Sequence, residues 1–366
     1  MVKIKRNEEY SRIIGMVRIP LILSLVFLHF DISQNGNIDI ILNTYDVSMP
    51  LFASIPIFIT GHLFAGVAIG CFFIISGYLF FLTYQATYEG YIVKMKSRFY
   101  SLFVPFILWN IVFSIYAVFS AIIRYRITGE ILFFGKPIPS LLNLIYDALW
   151  VRPACGSMWY VRELMILVLL SPVVCSLISC RYWKWILVLA GCLCLMPYLY
   201  RYQLTQGGLR GLFLFMLGGA ISVRGIDCLM YLKSVFIIPV FLIVAAIDIL
   251  LKFFLISEYY HWYHNITMIA AILAIFHIGV RFSEIKYPRM IDSSFLFFLF
   301  ASHELFIGPC CKFYSILLDP ISWERQVVLW LLTILSVFIL SYSGNQLTKT
   351  ITPHIYQMMT GYRKNK

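Results

Sequence analysis

Charge is what this sequence has least of. Only 13% of its 366 residues are Asp, Glu, Lys or Arg, where a water-soluble domain carries about 25%. Hydrophobic residues make up 61%, and the mean hydropathy is +0.85. Such a chain cannot hide its apolar surface in a water-soluble core, so a soluble enzyme is excluded and a polytopic membrane protein is implied. Acidic residues are scarcer than basic ones, 17 against 29, for a net charge of +12. In a soluble protein that excess would point to nucleic acid. Here Lys and Arg gathered in cytoplasmic loops explain it, and no nucleic-acid partner is expected. A disulfide framework is also missing. The nine cysteines show neither framework spacing nor a paired C-x-x-C, and most fall in apolar runs, so they read as small core residues. The first apolar segment has no small-residue cleavage site and carries its polar residues too deep for a signal peptide, so it is read as a first span.

What is present is a series of apolar runs. They place ten spans at about 14–31, 64–84, 101–122, 158–179, 183–200, 209–223, 233–254, 264–281, 292–313 and 327–348. Residues 48–62 read as a re-entrant or interfacial piece. With the N-terminus inside, the inner segments hold 18 Lys and Arg and the outer ones 9. That bias supports ten spans with both termini in the cytoplasm. The expectation is an all-α fold of about ten transmembrane helices around a polar cavity, one domain over residues 1–366, without an internal repeat.

The first span carries Arg18 and His29, 11 residues apart. On an α-helix 11 steps make three turns plus about 20°, so both side chains leave nearly the same face, roughly 16 Å apart along the axis. Such a stripe must face protein or water rather than lipid. It lines a reaction channel, or else Arg18 snorkels at one interface and His29 sits at the other. Asp248 and Lys252 are four apart in the seventh span and can pair on one face, as a proton relay or, more plainly, a structural ion pair. Glu258, His261 and His264 recur every three residues in an outer polar stretch. That spacing could suit a metal, but no fourth ligand is evident and no metal site is expected.

Four stretches stand in order along the chain. They are Arg18 with His29; Cys71-Phe-Phe-Ile-Ile-Ser-Gly-Tyr-Leu-Phe80; Lys94-Met-Lys-Ser-Arg98 leading to Pro105, Trp109 and Asn110; and Gly156-Ser-Met-Trp159-Tyr160-Val-Arg-Glu163. A late aromatic run, Ser294 to His303-Glu304, follows. Together they resemble the acyltransferase 3 family of integral membrane acyltransferases, in its ten-helix branch acting on surface polysaccharides and lipid-linked sugars. The sequence departs from the family pattern at Gly15, where an Asp is frequent, and at Pro20, which should kink the helix or cap its first turn. It departs again at Lys94 and Lys96, which keep the charge of an arginine-rich loop without its bidentate geometry.

The resemblance implies transfer of an acyl group, usually acetyl, from cytoplasmic acyl-CoA to a sugar hydroxyl of an envelope glycan or lipid-linked precursor, in a bacterial plasma membrane. Acyl-CoA is then a donor substrate and no cofactor is held permanently. The residues can be matched to that chemistry. His29 is the candidate base, or a covalent acyl carrier, with Arg18 in its channel. Lys94, Lys96 and Arg98, with Ser76, are candidates for binding the donor's phosphates. A plain topology anchor is the alternative for the loop, and close helix packing is the alternative for Ser76-Gly77. Trp159, Tyr160, Glu163 and His303 are candidates for the acceptor side. The alternatives are an aromatic belt for the rings, a helix-end role for Glu163 and a core role for His303. The competing functions are a transporter or flippase for a lipid-linked sugar or small anion, and an idle glycan-recognising module. Neither the acceptor, the acyl chain, O- against N-acylation nor the oligomeric state is legible.

Overall fold

The computed structural model describes residues 2–30, 49–128, 143, 146, 153–195, 208–254, 260–283, 292–320 and 322–361. Among them all regular structure is helical. A helix satisfies its own backbone polar groups, which is what a single segment needs to lie in hydrocarbon. The longest element at the N-terminus is α1 (Val2–His29). Pro20 lies inside it rather than in its first turn. Next come α2 (Leu51–Phe58) and α3 (Ala65–Leu82). The stretch read as re-entrant joins them without a break, widening to π-type turns at Ile59–Phe64. The basic stretch forms α4 (Tyr88–Arg98), capped by the Thr87 hydroxyl on the Gly90 N–H, and runs through another wide turn into α5 (Val104–Thr128).

A single 3₁₀ turn at Gly156–Met158 opens α6 (Trp159–Leu169), followed at once by α7 (Ser171–Ser179). These two meet at 64°. Pro172, in the first turn of α7, cannot donate back to the preceding turn, which is why the run read as one span bends here. Besides a single turn at Leu229–Leu232, the remaining elements are α8 (Trp183–Leu195), α9 (Gly208–Arg224), α10 (Ile237–Phe253), α11 (Tyr260–Arg281), α12 (Ser293–Leu318), α13 (Trp323–Ile351) and α14 (Pro353–Met359). Among the described residues five stretches are long and apolar enough to cross a membrane: Glu8–His29, Tyr88–Ile123, Tyr263–Arg281, Ser293–Leu318 and Trp323–Ile351. The bent α6–α7 pair, counted as one span, makes a sixth. The protein is therefore a multi-pass membrane protein, all-helical among the described residues. The other segments read as spans fall on the shorter helices α3, α8, α9 and α10.

The core is aromatic. Phe73, Phe80, Phe106, Trp109 and Phe215 are almost wholly buried in one cluster. The α3–α9 contact is backbone against backbone. A Cβ on Gly77 would strike the Phe215 carbonyl, and one on Gly218 the Ile74 carbonyl. Two indoles tie helix ends together, and both lie near the site. Trp330 of α13 donates to the Phe30 carbonyl, one residue past His29, at 2.7 Å. Trp109 of α5 donates to the Met359 carbonyl of α14 at 3.1 Å.

The pair expected between Asp248 and Lys252 takes a different form. Wholly buried Asp248 reaches across to α11, where His264 Nδ1 lies 2.9 Å from its Oδ2. Burial explains the choice, because a carboxylate inside protein is held by the nearest donor on the facing helix. His264 thus belongs to a helix–helix contact rather than to a polar loop. Glu258 and the His261 side chain lie outside the described residues.

Candidate active site

Two polar features lie along the α1–α12 contact, one beyond the other. The first is a cavity of about 220 Å³. Its polar lining is Arg18 of α1, Ser76 of α3, Arg98 of α4, Tyr160 of α6 and Ser293 of α12; the rest is apolar, including Phe72, Phe80, Phe297 and Phe300. Tyr160 is its hub. Its hydroxyl and Ser76 Oγ are 2.9 Å apart, and it is an electrostatic neighbour of both Arg18 and Arg98. The Arg98 guanidinium also stands over the Phe80 ring at 5.7 Å, and Lys94 Nζ over the same ring at 5.3 Å. The cavity therefore offers two fixed guanidiniums, two small hydroxyls and aromatic walls. That suits an anionic group followed by a less polar arm.

The second feature is a cluster at the far end of α1. His29 Nδ1 lies 3.2 Å from Glu304 Oε1, and the His29 and His303 rings are 4.9 Å apart. A carboxylate only accepts, so His29 Nδ1 carries the hydrogen and Nε2 is left as the basic nitrogen. The same logic holds for His303. Its Nδ1 donates to the Leu299 carbonyl at 3.1 Å, which leaves Nε2 as the acceptor nitrogen of the neutral ring. That nitrogen is fully buried and has no hydrogen-bond partner among the described residues. His29 and Glu304 keep some solvent access, with 29% and 18% of their side chains exposed. The site thus combines a reachable imidazole, a carboxylate that orients it and a dry imidazole beside it. One ligand atom from each of the three lies within 4.8 Å of the others. Two His and one Glu are donor types that zinc sites use. His29 and Glu304 are in direct contact, at 3.2 Å.

The residues singled out from the sequence separate between these places. Arg18, Ser76, Arg98 and Tyr160 meet in the cavity. Ile22, also in its lining, lies two turns before His29 on α1, and Phe300 one turn before His303 and Glu304 on α12. His29 is not among the lining residues. Lys94 stands at the rim of α4, hydrogen-bonded to Thr83 Oγ1. Lys96 is exposed. Trp159 is half-buried at the start of α6. Glu163 is buried against Arg162, 3.4 Å away, and belongs to neither place. Glu304 closes the late aromatic run, where its spacing alone assigns it no role. An acid inside an apolar helix, next to a His, is itself a signal of function.

A family model described as an acyltransferase domain matches residues 13–345. The succinoglycan biosynthesis protein ExoH of Rhizobium meliloti (strain 1021) is 27% identical over 183 residues, 48% of this chain and 45% of that protein. The match thus covers about half the length of each. No solved structure matches.

Proposed function

The chain belongs to the acyltransferase 3 family, and from that premise we propose that it moves an acyl group, acetyl in the first instance, from acyl-CoA to a hydroxyl of an envelope polysaccharide or its lipid-linked precursor. The observation that carries the reading is the pairing of His29 with Glu304 at the end of α1, while Arg18 and Arg98 share a cavity about three turns back along it. The roughly 16 Å between Arg18 and His29 along the helix asks for a donor whose charged group and reactive group are joined by a long arm. Coenzyme A is built that way, with phosphates at one end of the pantetheine arm and the thioester at the other. Arg18 and Arg98 hold the phosphates, with Lys94 at the rim, and Ser76 and Tyr160 line the entry.

In the reaction the acceptor's hydroxyl oxygen attacks the thioester carbonyl carbon. His29 Nε2 takes the hydroxyl proton while Glu304 steadies the imidazolium that forms. The new C–O bond closes, the C–S bond breaks, and the proton passes to the departing sulfur. Acyl-CoA and an alcohol give an ester and free CoA thiol, with nothing oxidised. His303 packs beside His29 and holds its ring from the dry side. We take α3, α8, α9 and α10 as the remaining spans of a ten-helix frame in a bacterial plasma membrane, both termini inside. Support comes from the inward excess of Lys and Arg. The polysaccharide acceptor is supported by the name of the succinoglycan relative.

The test is transfer of label from radiolabelled acetyl-CoA in membrane vesicles from cells expressing the protein. Alkali-labile label should enter the glycan or glycolipid fraction with the native chain and not with His29→Ala. Label that reaches neither fraction, or reaches it equally with both chains, would sink the reading.

A further inference from the structure

Two motifs that lie 46 residues apart in the sequence, at Asn110 and Gly156, meet beside Glu304. Cys155 is wholly buried and fixed at two atoms. Its backbone N–H donates to Asn110 Oδ1 at 3.2 Å, and its thiol stands 3.4 Å from the Ala301 carbonyl, on α12 one turn before Glu304. Asn110 is itself held, because its Nδ2 donates to the Phe106 carbonyl at 2.7 Å. On the other side the buried Ser157 hydroxyl lies 3.4 Å from the same thiol. Gly156 is therefore caught between two immobilised neighbours, and Glu304 fills the space a side chain would take. A Cβ there would overlap both oxygens of the carboxylate. Having no side chain, Gly156 leaves that space open.

We infer that Gly156 is a positioning residue: its missing side chain is the seat of the Glu304 carboxylate, and Asn110, through Cys155, holds that seat so that the carboxylate stays against His29. The inference rests on the His29–Glu304 base proposed above. The overlap of an added methyl is with the end of the flexible Glu304 side chain, to which its three nearest atoms belong. It can be relieved by swinging the carboxylate away, which spares the fold and removes the orienting bond to His29. Arg18, Arg98 and Tyr160 are untouched by that movement, so donor binding is spared as well.

The experiment is a double-mutant cycle in membrane vesicles with radiolabelled acetyl-CoA. Gly156→Ala should lower kcat by about tenfold or more, with the acetyl-CoA KM unchanged and the protein accumulating normally, the pattern of an interaction made in the transition state. In the Glu304→Gln background the same substitution should cost little, because residues acting through one contact are not additive. Native kcat for Gly156→Ala, or an equal loss in both backgrounds, would overturn the seat while leaving the base intact. A fully active Glu304→Gln would overturn the base reading instead. Should Gly156→Ala fail to accumulate, Asn110→Ala carries the same cycle. It loosens the seat without adding bulk, and additivity with Glu304→Gln would again overturn the proposal.

Discussion

At the scale of single residues, the proposed chemistry reduces to how one imidazole is held. General-base catalysis contributes on the order of 10²–10⁴-fold. His29→Ala should lose at least that much, with native membrane insertion, because it removes a polar group from an apolar helix; vesicle transfer assays paired with quantitative blotting check it. Glu304→Gln keeps the shape but replaces the carboxylate with a neutral amide, so a loss of intermediate size is expected in the same assay. Chelation with EDTA should leave the rate unchanged, since the His29–Glu304 bond of 3.2 Å is direct; inhibition reversed by zinc would instead make the His29, His303 and Glu304 group a metal centre. Arg18 answers a different question. Arg18→Lys keeps the charge and loses the planar fork. If Arg18 grips a phosphate of the donor, the acetyl-CoA KM should rise severalfold, whereas a snorkelling Arg would tolerate Lys. The 11-residue spacing made one stripe of Arg18 and His29 legible. That Arg18 borders a cavity with Tyr160 while His29 meets Glu304 was not, because those partners come from segments far along the chain.

At the scale of elements, close packing decides more than hydropathy does. Gly77 sits in the Ser-Gly notch that could be read as a packing site or as part of a binding site. Both readings hold, one residue apart. Ser76 lines the cavity, while Gly77 lets α3 press onto the Phe215 carbonyl of α9, and Gly218 returns the contact against Ile74. Here an added methyl meets backbone, which cannot swing aside. Overpacking in a well-filled core costs about 1–3 kcal/mol. Gly77→Ala and Gly218→Ala should therefore lower the apparent melting temperature in detergent, whereas Gly156→Ala should not; equal melting of all three would contradict the distinction. Apolar runs located the long helices, since each must satisfy its own backbone in lipid, but neither α4, whose stretch reads as a basic loop, nor α14. They could not show the bend at Pro172, nor that Asp248 finds His264, since both depend on which helix lies opposite. Lys252, one turn further along α10, marked the right face but not the partner.

At the scale of the whole molecule, the mechanism demands a direction. Acyl-CoA is made in the cytoplasm, so the Arg18 and Arg98 cavity must open inward and His29 must lie toward the outer half. The proposed topology, with 18 Lys and Arg on its inner segments against 9 on its outer ones, has the same direction. Two exposed positions read it out. Lys96 lies on α4 beside the cavity, and Glu324 lies in the first turn of α13, close to Trp330 and hence to the His29 end of α1. In a background free of native cysteines, Glu324→Cys should react with a membrane-impermeant maleimide on intact cells, and Lys96→Cys only after the cells are opened. The reverse pattern would put the two guanidiniums on the face where no acyl-CoA is found. His29 and Glu304 would then face the donor's own compartment. Transfer across the membrane would lose its physical basis, even with the family assignment and the fold intact.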